Sequence, residues 1–287
     1  MELPSVLVIG ASWVTITGGV WALFERAETV VSPEIKAEIT LWLRNLPAAT
    51  MSASWPATFA RVFDRIFGSR HLSWQCFLRS AVASLISIVI VTLIWAAVRP
   101  SEMKSFIAAE SIVFVLGAPI LSGLVVNVVP DYASLLETRF VIGRMKNCDS
   151  RAVIAWLLFD TIASAAIFML PYAAFIVIIS YLADDTSIAD SVVRILRDVP
   201  EYILPLHAKT DSLPDGVFFY STFFTSVWVW LYAVAGFALR LTQAVGVGAS
   251  HLTAVLDVEQ KPLRSLGFVS NLLVTLAYVL AWPFLKP

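Results

Sequence analysis

The amino-acid sequence predicts an all-α fold, a polytopic integral membrane helical bundle with about six transmembrane helices and additional amphipathic interfacial helices. Composition is the first reason, because 59% of the 287 residues are hydrophobic, only 14% are charged, and the mean hydropathy is +0.81. These values lie far from those of an ordinary soluble domain. The second reason is that the apolar residues form runs long enough to cross about 30 Å of hydrocarbon. We therefore treat residues 1–287 as a single membrane domain.

The longest apolar run, residues 152–182, is the segment around which we expect the other helices to pack. Its only charged residue is Asp160. As a helix it would be about 46 Å long, so it must tilt, kink at Pro171 or protrude from the bilayer. A carboxylate within a membrane span is costly and normally faces protein or water. Asp160 is therefore the first candidate for a functional residue.

Five further runs complete the predicted topology. The third contains Gly117 and Pro119, which predict a kink, and the fifth is rich in aromatic residues in its first half. Aromatic side chains concentrate at the headgroup level of a bilayer. In chain order, the six predicted spans are residues 3–24, 80–98, 111–129, 152–182, 217–239 and 268–285.

Between the first two spans lies a predicted helical insertion, residues 25–79. Apolar residues at helical spacing over 33–46 follow Ser32 and Pro33, an N-cap residue and a favoured first helical residue. A second amphipathic helix is expected over 55–67, followed by Gly68 at a typical helix end. Two interpretations stay open: these helices lie on the membrane surface, or they pack beneath the bundle.

The distribution of basic residues predicts the orientation. The insertion and the loops after the third and fifth spans carry fourteen Lys and Arg, whereas the rest of the chain carries six. The positive-inside rule then places residues 25–79 in the cytoplasm. It places both termini and the loop 183–216 outside. In a bacterium the protein would lie in the inner membrane.

Five polar residues in or beside four spans are expected near the inner leaflet. We hypothesise that Asp160 pairs with Arg240, and that the group forms an intramembrane polar node that gates or senses something from the cytoplasm. The alternative is a structural clasp whose hydrogen bonds contribute about 1 kcal/mol each. The predicted node consists of Asp160, Arg240, Asn127, Asn271 and Gln243.

Several classes of function are disfavoured by the sequence. A net charge of −1 lacks the excess of Lys and Arg needed to bind nucleic acid. Cys76 and Cys148 belong to no zinc-type cluster, and the three histidines stand alone. No phosphate-binding glycine loop, dinucleotide fingerprint or nucleophile elbow is present. We expect no catalytic residue, metal or cofactor.

The resulting functional hypothesis is a non-enzymatic membrane protein. It would be an oligomeric pore or channel, or a membrane-bound module that engages a cytoplasmic protein through residues 25–79. A secondary transporter of a small solute or ion that uses Asp160 is the alternative, and an intramembrane enzyme is the third hypothesis. The expected partners are membrane lipid, further copies of the chain and that cytoplasmic protein.

Overall fold

The computed structural model describes residues 5–44, 55–70, 72–109, 127–146, 148–184, 187–209, 213–245 and 257–285. Within these ranges the regular structure is entirely helical. A π-helical turn, Val199–Ile203, continues directly from the eighth helix. The helices of the described part are α1 Ser5–Val30, α2 Pro33–Arg44, α3 Trp55–Phe67, α4 Trp74–Val98, α5 Pro100–Ala109, α6 Val128–Met145, α7 Ser150–Asp184, α8 Ile188–Asp198, α9 Asp215–Ser221, α10 Phe224–Val245 and α11 Pro262–Leu285.

Four of these helices are long and apolar enough to cross a membrane. They are α4, most of α7 (Arg151–Leu182), most of α10 (Phe224–Leu241) and most of α11 (Pro262–Leu280). The prediction of an all-α protein is confirmed for the described residues, and the four helices agree with the predicted membrane spans in length and composition. Residues 3–24 fall largely within α1, which is not one of the four, and residues 111–126 of the third predicted span lie outside the described residues. The count of six spans and the orientation of the termini stay predictions.

The fifth predicted span, residues 217–239, is divided between two helices. α9 ends at Ser221 and α10 begins at Phe224. The Ser221 and Thr222 hydroxyls both donate to the Phe218 carbonyl, at 2.8 and 3.1 Å, and the Thr222 N–H reaches the same oxygen at 3.3 Å. Side-chain hydroxyls that compete for a helix carbonyl favour departure from regular helix. The break at 222–223 is the physical result.

The insertion between the first two spans forms α2 and α3, close to the predicted boundaries. Gly68 follows α3 with φ of +97°, a left-handed conformation that glycine adopts without strain. The apolar face of α3 packs on α10, where the Phe59 ring lies 4.9 Å from Trp228 and 4.6 Å from Tyr232 between centroids. Trp42 of α2 stacks on Tyr232 at 5.6 Å. These apolar faces therefore contact protein.

α6 follows the third predicted span, and its charged residues taken alone would favour a position on the surface. The structure instead packs it against α3, α4 and α7. Asp131, Ser134 and Thr138 lie at i, i+3 and i+7 on its buried side. A polar face of this kind is tolerated inside a bundle only when other helices supply partners. α6 thereby brings the polar groups of the candidate site into the protein interior.

α7 runs antiparallel to α9 and α10. The contacts between these helices give the position of Asp160 along α10. Contacts pair later residues of α7 with earlier residues of the other two helices. α7 itself continues as a helix through Pro171. In order along α7, the contacts are the Trp230 indole to the Thr161 hydroxyl at 3.0 Å, the Ser164 and Ser226 hydroxyls at 3.0 Å, and the Tyr172 hydroxyl to Asp215 at 2.7 Å.

Candidate functional site

A chain of buried hydroxyl groups lies where α6, α7 and α10 meet. Its members are bonded in series, and each is less than one tenth exposed. A hydroxyl both donates and accepts hydrogen bonds, so each member of such a series keeps a partner whichever way the O–H groups are oriented. We call this set the hydroxyl chain: Ser134 to Ser164 at 2.8 Å, Ser164 to Ser226 at 3.0 Å, Ser134 to Thr225 at 3.5 Å, and Thr138 to Thr225 at 3.2 Å.

Two carboxyl groups face each other at one end of the hydroxyl chain. Asp160 of α7 is fully buried and interacts with Glu137 of α6, and the hydroxyls of Ser226 and Thr138 face the same carboxyl. Among the described residues, none of the four carboxyl oxygens of the pair has a partner at hydrogen-bond geometry. Two ionised carboxylates so placed would repel strongly in a medium of low dielectric constant. The pair is therefore suited to hold a proton.

The pKa of the Glu137 carboxyl agrees with a pair that holds a proton. Burial is the main influence, followed by the negative charge of Asp160, and both raise the pKa of the Glu137 carboxyl well above its ordinary value. Because the two groups are neighbours, they titrate as a pair rather than as independent sites. Protonation of one oxygen removes the repulsion and supplies an O–H donor for the other carboxyl.

A second polar group lies at the break between α9 and α10. The Asn127 amide donates to Asp131 at 2.9 Å and to the Ser221 hydroxyl at 2.5 Å. The Ser87 hydroxyl of α4 donates to the Ser221 carbonyl at 2.9 Å. Burial raises the pKa of the Asp131 carboxyl to about 6, although nearby Ser84, Thr222 and Asn127 act in the opposite direction. Asp131 is thus a third buried carboxyl whose pKa is raised by its surroundings.

The two polar groups are continuous. The Ser134 hydroxyl donates to the Thr222 carbonyl at 3.3 Å, and the Thr222 hydroxyl reaches Asn127 at 3.4 Å. The hydroxyl chain therefore begins beside Asp160 and Glu137 and is connected through Thr222 to Asn127 and Asp131. We refer to the hydroxyl chain with these four residues and Ser221 and Thr222 as the polar core.

Of the five residues predicted to form one node, Asp160 and Asn127 belong to the polar core. Arg240 lies fourteen residues beyond Ser226 on α10, about 21 Å along the helix. Its guanidinium is buried and lies 6.0 Å from the centre of the Trp42 ring. Asn271 lies on α11 beside Ser270, whose hydroxyl reaches the Leu231 carbonyl at 3.5 Å.

Gln243 lies in the last turn of α10, and its side chain is outside the described residues. The structure therefore distributes the node over three places: the polar core, the Trp42 contact and the α10–α11 interface. Asp160 has Glu137 as its ionisable neighbour. Asp160 of α7 lies beside Ser226 of α10, whereas Arg240 lies fourteen residues further along α10, so Asp160 faces Glu137.

Sequence analysis did not identify Glu137, Asp131 or the hydroxyl chain. Their segment is rich in charge, which predicts a surface helix when it is considered alone. The available signal was the spacing of Asp131, Ser134 and Thr138 on a single helix face, together with Ser164 one turn after Asp160. Such a polar face beside apolar ones indicates a helix that is surrounded by protein.

Comparison with protein-family models, with curated proteins and with solved structures finds no match in any of the three. Within the described ranges, no group of three or more His, Cys, Asp and Glu side chains is arranged to hold a metal ion. Any assignment of function therefore depends on the chemistry of the polar core.

Proposed function

We propose that this membrane protein is a secondary transporter that couples the movement of a small solute or ion to protons, with Asp160 and Glu137 as the proton-carrying pair. The observation that carries the proposal is the acidic pair itself: two facing carboxyls, from α6 and α7, whose oxygens are buried between helices. Ionisable residues buried inside membrane bundles are characteristic of ion and proton pathways.

The polar core supports coupling rather than a purely structural role. A clasp between helices gains most when each polar atom has a partner, and the hydroxyl chain meets that requirement. The carboxyl pair differs, because two facing carboxylates repel each other when both are ionised, and that repulsion adds nothing to a structural clasp. The hydroxyl chain lies between the pair and Asp131, and it is hydrogen-bonded through Thr222 and Asn127 as far as Asp131.

The break between α9 and α10 also favours transport. Discontinuous helices in transporters place free backbone carbonyls beside substrate and ion sites. Here Ser221 and Thr222 at the break direct carbonyl oxygens toward α4 and α6, next to Asn127. Asp131 and Glu137 also add two carboxyl groups to the polar core near Asp160, and a proton-coupled transporter can use such groups.

The proposal is tested by electrical recording from proteoliposomes adsorbed on a solid support. A step in external pH should give a brief charge displacement as protons bind to the wild-type protein. Asp160→Asn and Glu137→Gln should each reduce it to the level of empty liposomes. Glu201→Gln, which neutralises an exposed carboxylate in the π-helical turn, is the matched control and should keep the wild-type signal.

Three results would count against the proposal. Absence of any displacement in the wild type would exclude proton binding in the accessible state. An equal loss in the Glu201→Gln control would show that the signal is not specific to the pair. A sustained current that survives Asp160→Asn would instead favour the oligomeric pore.

A further inference from the structure

A groove lies along α1 and α4, and neither Asp160 nor Glu137 lines it. It consists of two adjoining cavities of about 510 and 430 Å³. Both are lined by Gly19, Leu23, Ile90 and Phe224, so the two cavities adjoin at a shared wall. A Cβ at Gly19 would lie 2.9 Å from the Ile90 side chain, which shows how closely the two helices approach at the junction.

The walls of the first cavity are apolar, and its two hydroxyl groups are already hydrogen-bonded to carbonyl oxygens. The Ser87 hydroxyl donates to the Ser221 carbonyl at 2.9 Å, and the Tyr220 hydroxyl donates to the Leu204 carbonyl at 2.7 Å. Ile86 of α4 lines the second cavity and is partly exposed, and α4 also exposes Val89 and Leu93. Because the groove opens onto a surface of a membrane-spanning helix, lipid hydrocarbon is the material that surrounds it.

One end of the groove carries positive charge. Arg26 of α1, Arg65 of α3 and Arg79 of α4 all line the second cavity. In the described part of the chain, no carboxylate lies within 4.0 Å of these three guanidinium groups, since the neighbouring Glu25, Glu28 and Glu38 pair with other basic residues.

The positive charge of this end is therefore largely unneutralised. Glu34 interacts with Arg65 only through longer-range attraction. Arg79 also donates to the Ile66 carbonyl at 2.8 Å, which holds it at the end of α3. Arginine clusters of this kind recognise phosphate.

We propose that this groove binds one anionic phospholipid, with its phosphate at Arg26, Arg65 and Arg79 and one acyl chain lying along α4 toward Ile94. The helical rise from Arg79 to Ile94 is about 22 Å, which exceeds the thickness of one leaflet, about half of a 30 Å hydrocarbon core. The charged end lies on the side predicted to be cytoplasmic, where anionic lipids attract basic residues. The site does not depend on transport activity.

The test is native mass spectrometry of the purified full-length protein, with phosphatidylglycerol and phosphatidylcholine added as probes. Wild-type protein should retain one phosphatidylglycerol per chain and bind phosphatidylcholine more weakly. The double variant Arg26→Ala/Arg65→Ala should weaken phosphatidylglycerol binding about thirtyfold, from the usual contribution of two basic residues at an anionic surface. Arg44→Ala/Arg151→Ala removes the same charge from exposed positions elsewhere and should leave binding unchanged.

A second variant tests the acyl-chain part of the groove. Ala22 lines the second cavity and is exposed, so Ala22→Trp should fill the groove without disturbing the core. This variant should no longer retain the lipid, and its melting temperature should equal that of the wild-type protein. Wild-type lipid retention in Ala22→Trp, equal binding of the two lipids, or equal losses in the two double variants would each overturn the proposal.

Discussion

The contact between α2 and α10 makes a sharp prediction at Gly236. A Cβ added there would overlap Cη2 of Trp42 and lie 2.6 and 2.9 Å from Cζ3 and Cζ2 of the same indole. Ordinary contact between carbon atoms is about 3.5–4.0 Å, so the new methyl group intrudes by about 1 Å or more. Trp42 is only 3% exposed and is stacked on Tyr232, so it has little room to move.

Gly236→Ala should therefore lower the free energy of unfolding by about 1–3 kcal/mol, the usual range for an overpacked core. Gly143→Ala is the matched control, because a Cβ at this helical glycine meets nothing within 4 Å. It should be neutral or stabilising by up to about 1 kcal/mol, since alanine favours helix. Both values are measured by reversible denaturation in mixed micelles.

The reasoning also predicts a rescue. Trp42→Leu shortens the side chain that Gly236→Ala meets, so the alanine should add little destabilisation in the double variant. The coupling energy from the double-mutant cycle should equal most of the Gly236→Ala effect. Stability of Gly236→Ala within about 0.5 kcal/mol of wild type, or independent effects of the two changes, would refute the packing of α2 on α10.

Two further predictions concern single hydrogen-bonded groups. Ser164→Val leaves Ser134 and Ser226 each short of a buried partner and should lower the free energy of unfolding by about 1–3 kcal/mol, whereas Ser164→Thr, which keeps the hydroxyl, should change it less. Burial acts to raise the pKa of the Glu102 carboxyl, but hydrogen bonds led by the Ala208 N–H outweigh it, so the pKa lies below its ordinary value. Glu102 therefore stabilises the fold above the unfolded pKa of about 4.3 and loses that contribution as pH falls through the lower folded pKa. The melting temperature of Glu102→Gln should accordingly depend less on pH below about pH 4 than that of the wild-type protein. An equal fall in melting temperature with acid in the two proteins would contradict this role.

Local signals explain why some elements were predictable from the sequence. Pro33 and Gly68 mark the start of α2 and the end of α3 through their own backbone preferences, which need no information about distant residues. Long apolar runs likewise predicted α4, α7 and α11, because the length of hydrocarbon to be crossed fixes the length of helix required.

The polar core was less predictable because it depends on contacts between distant parts of the chain. The buried face of α6 is stabilised by partners on α7 and α10, such as the Ser134–Ser164 bond across 30 residues and the Thr138–Thr225 bond across 87. The break before Phe224 depends on hydroxyls that bond both their own helix and Asn127. Neither the buried face of α6 nor this break can be predicted from the charge and hydropathy of one segment alone.

The most direct test of the proton-carrying pair is an infrared titration of the protein in lipid. The account predicts a protonated carboxyl band at neutral pH that disappears in Glu137→Gln and persists in the Glu201→Gln control. In Asp160→Asn that band should disappear at lower pH than in wild type, because one of the two causes that raise the pKa of Glu137 has been removed. A wild-type spectrum with every carboxyl ionised at neutral pH would contradict the account.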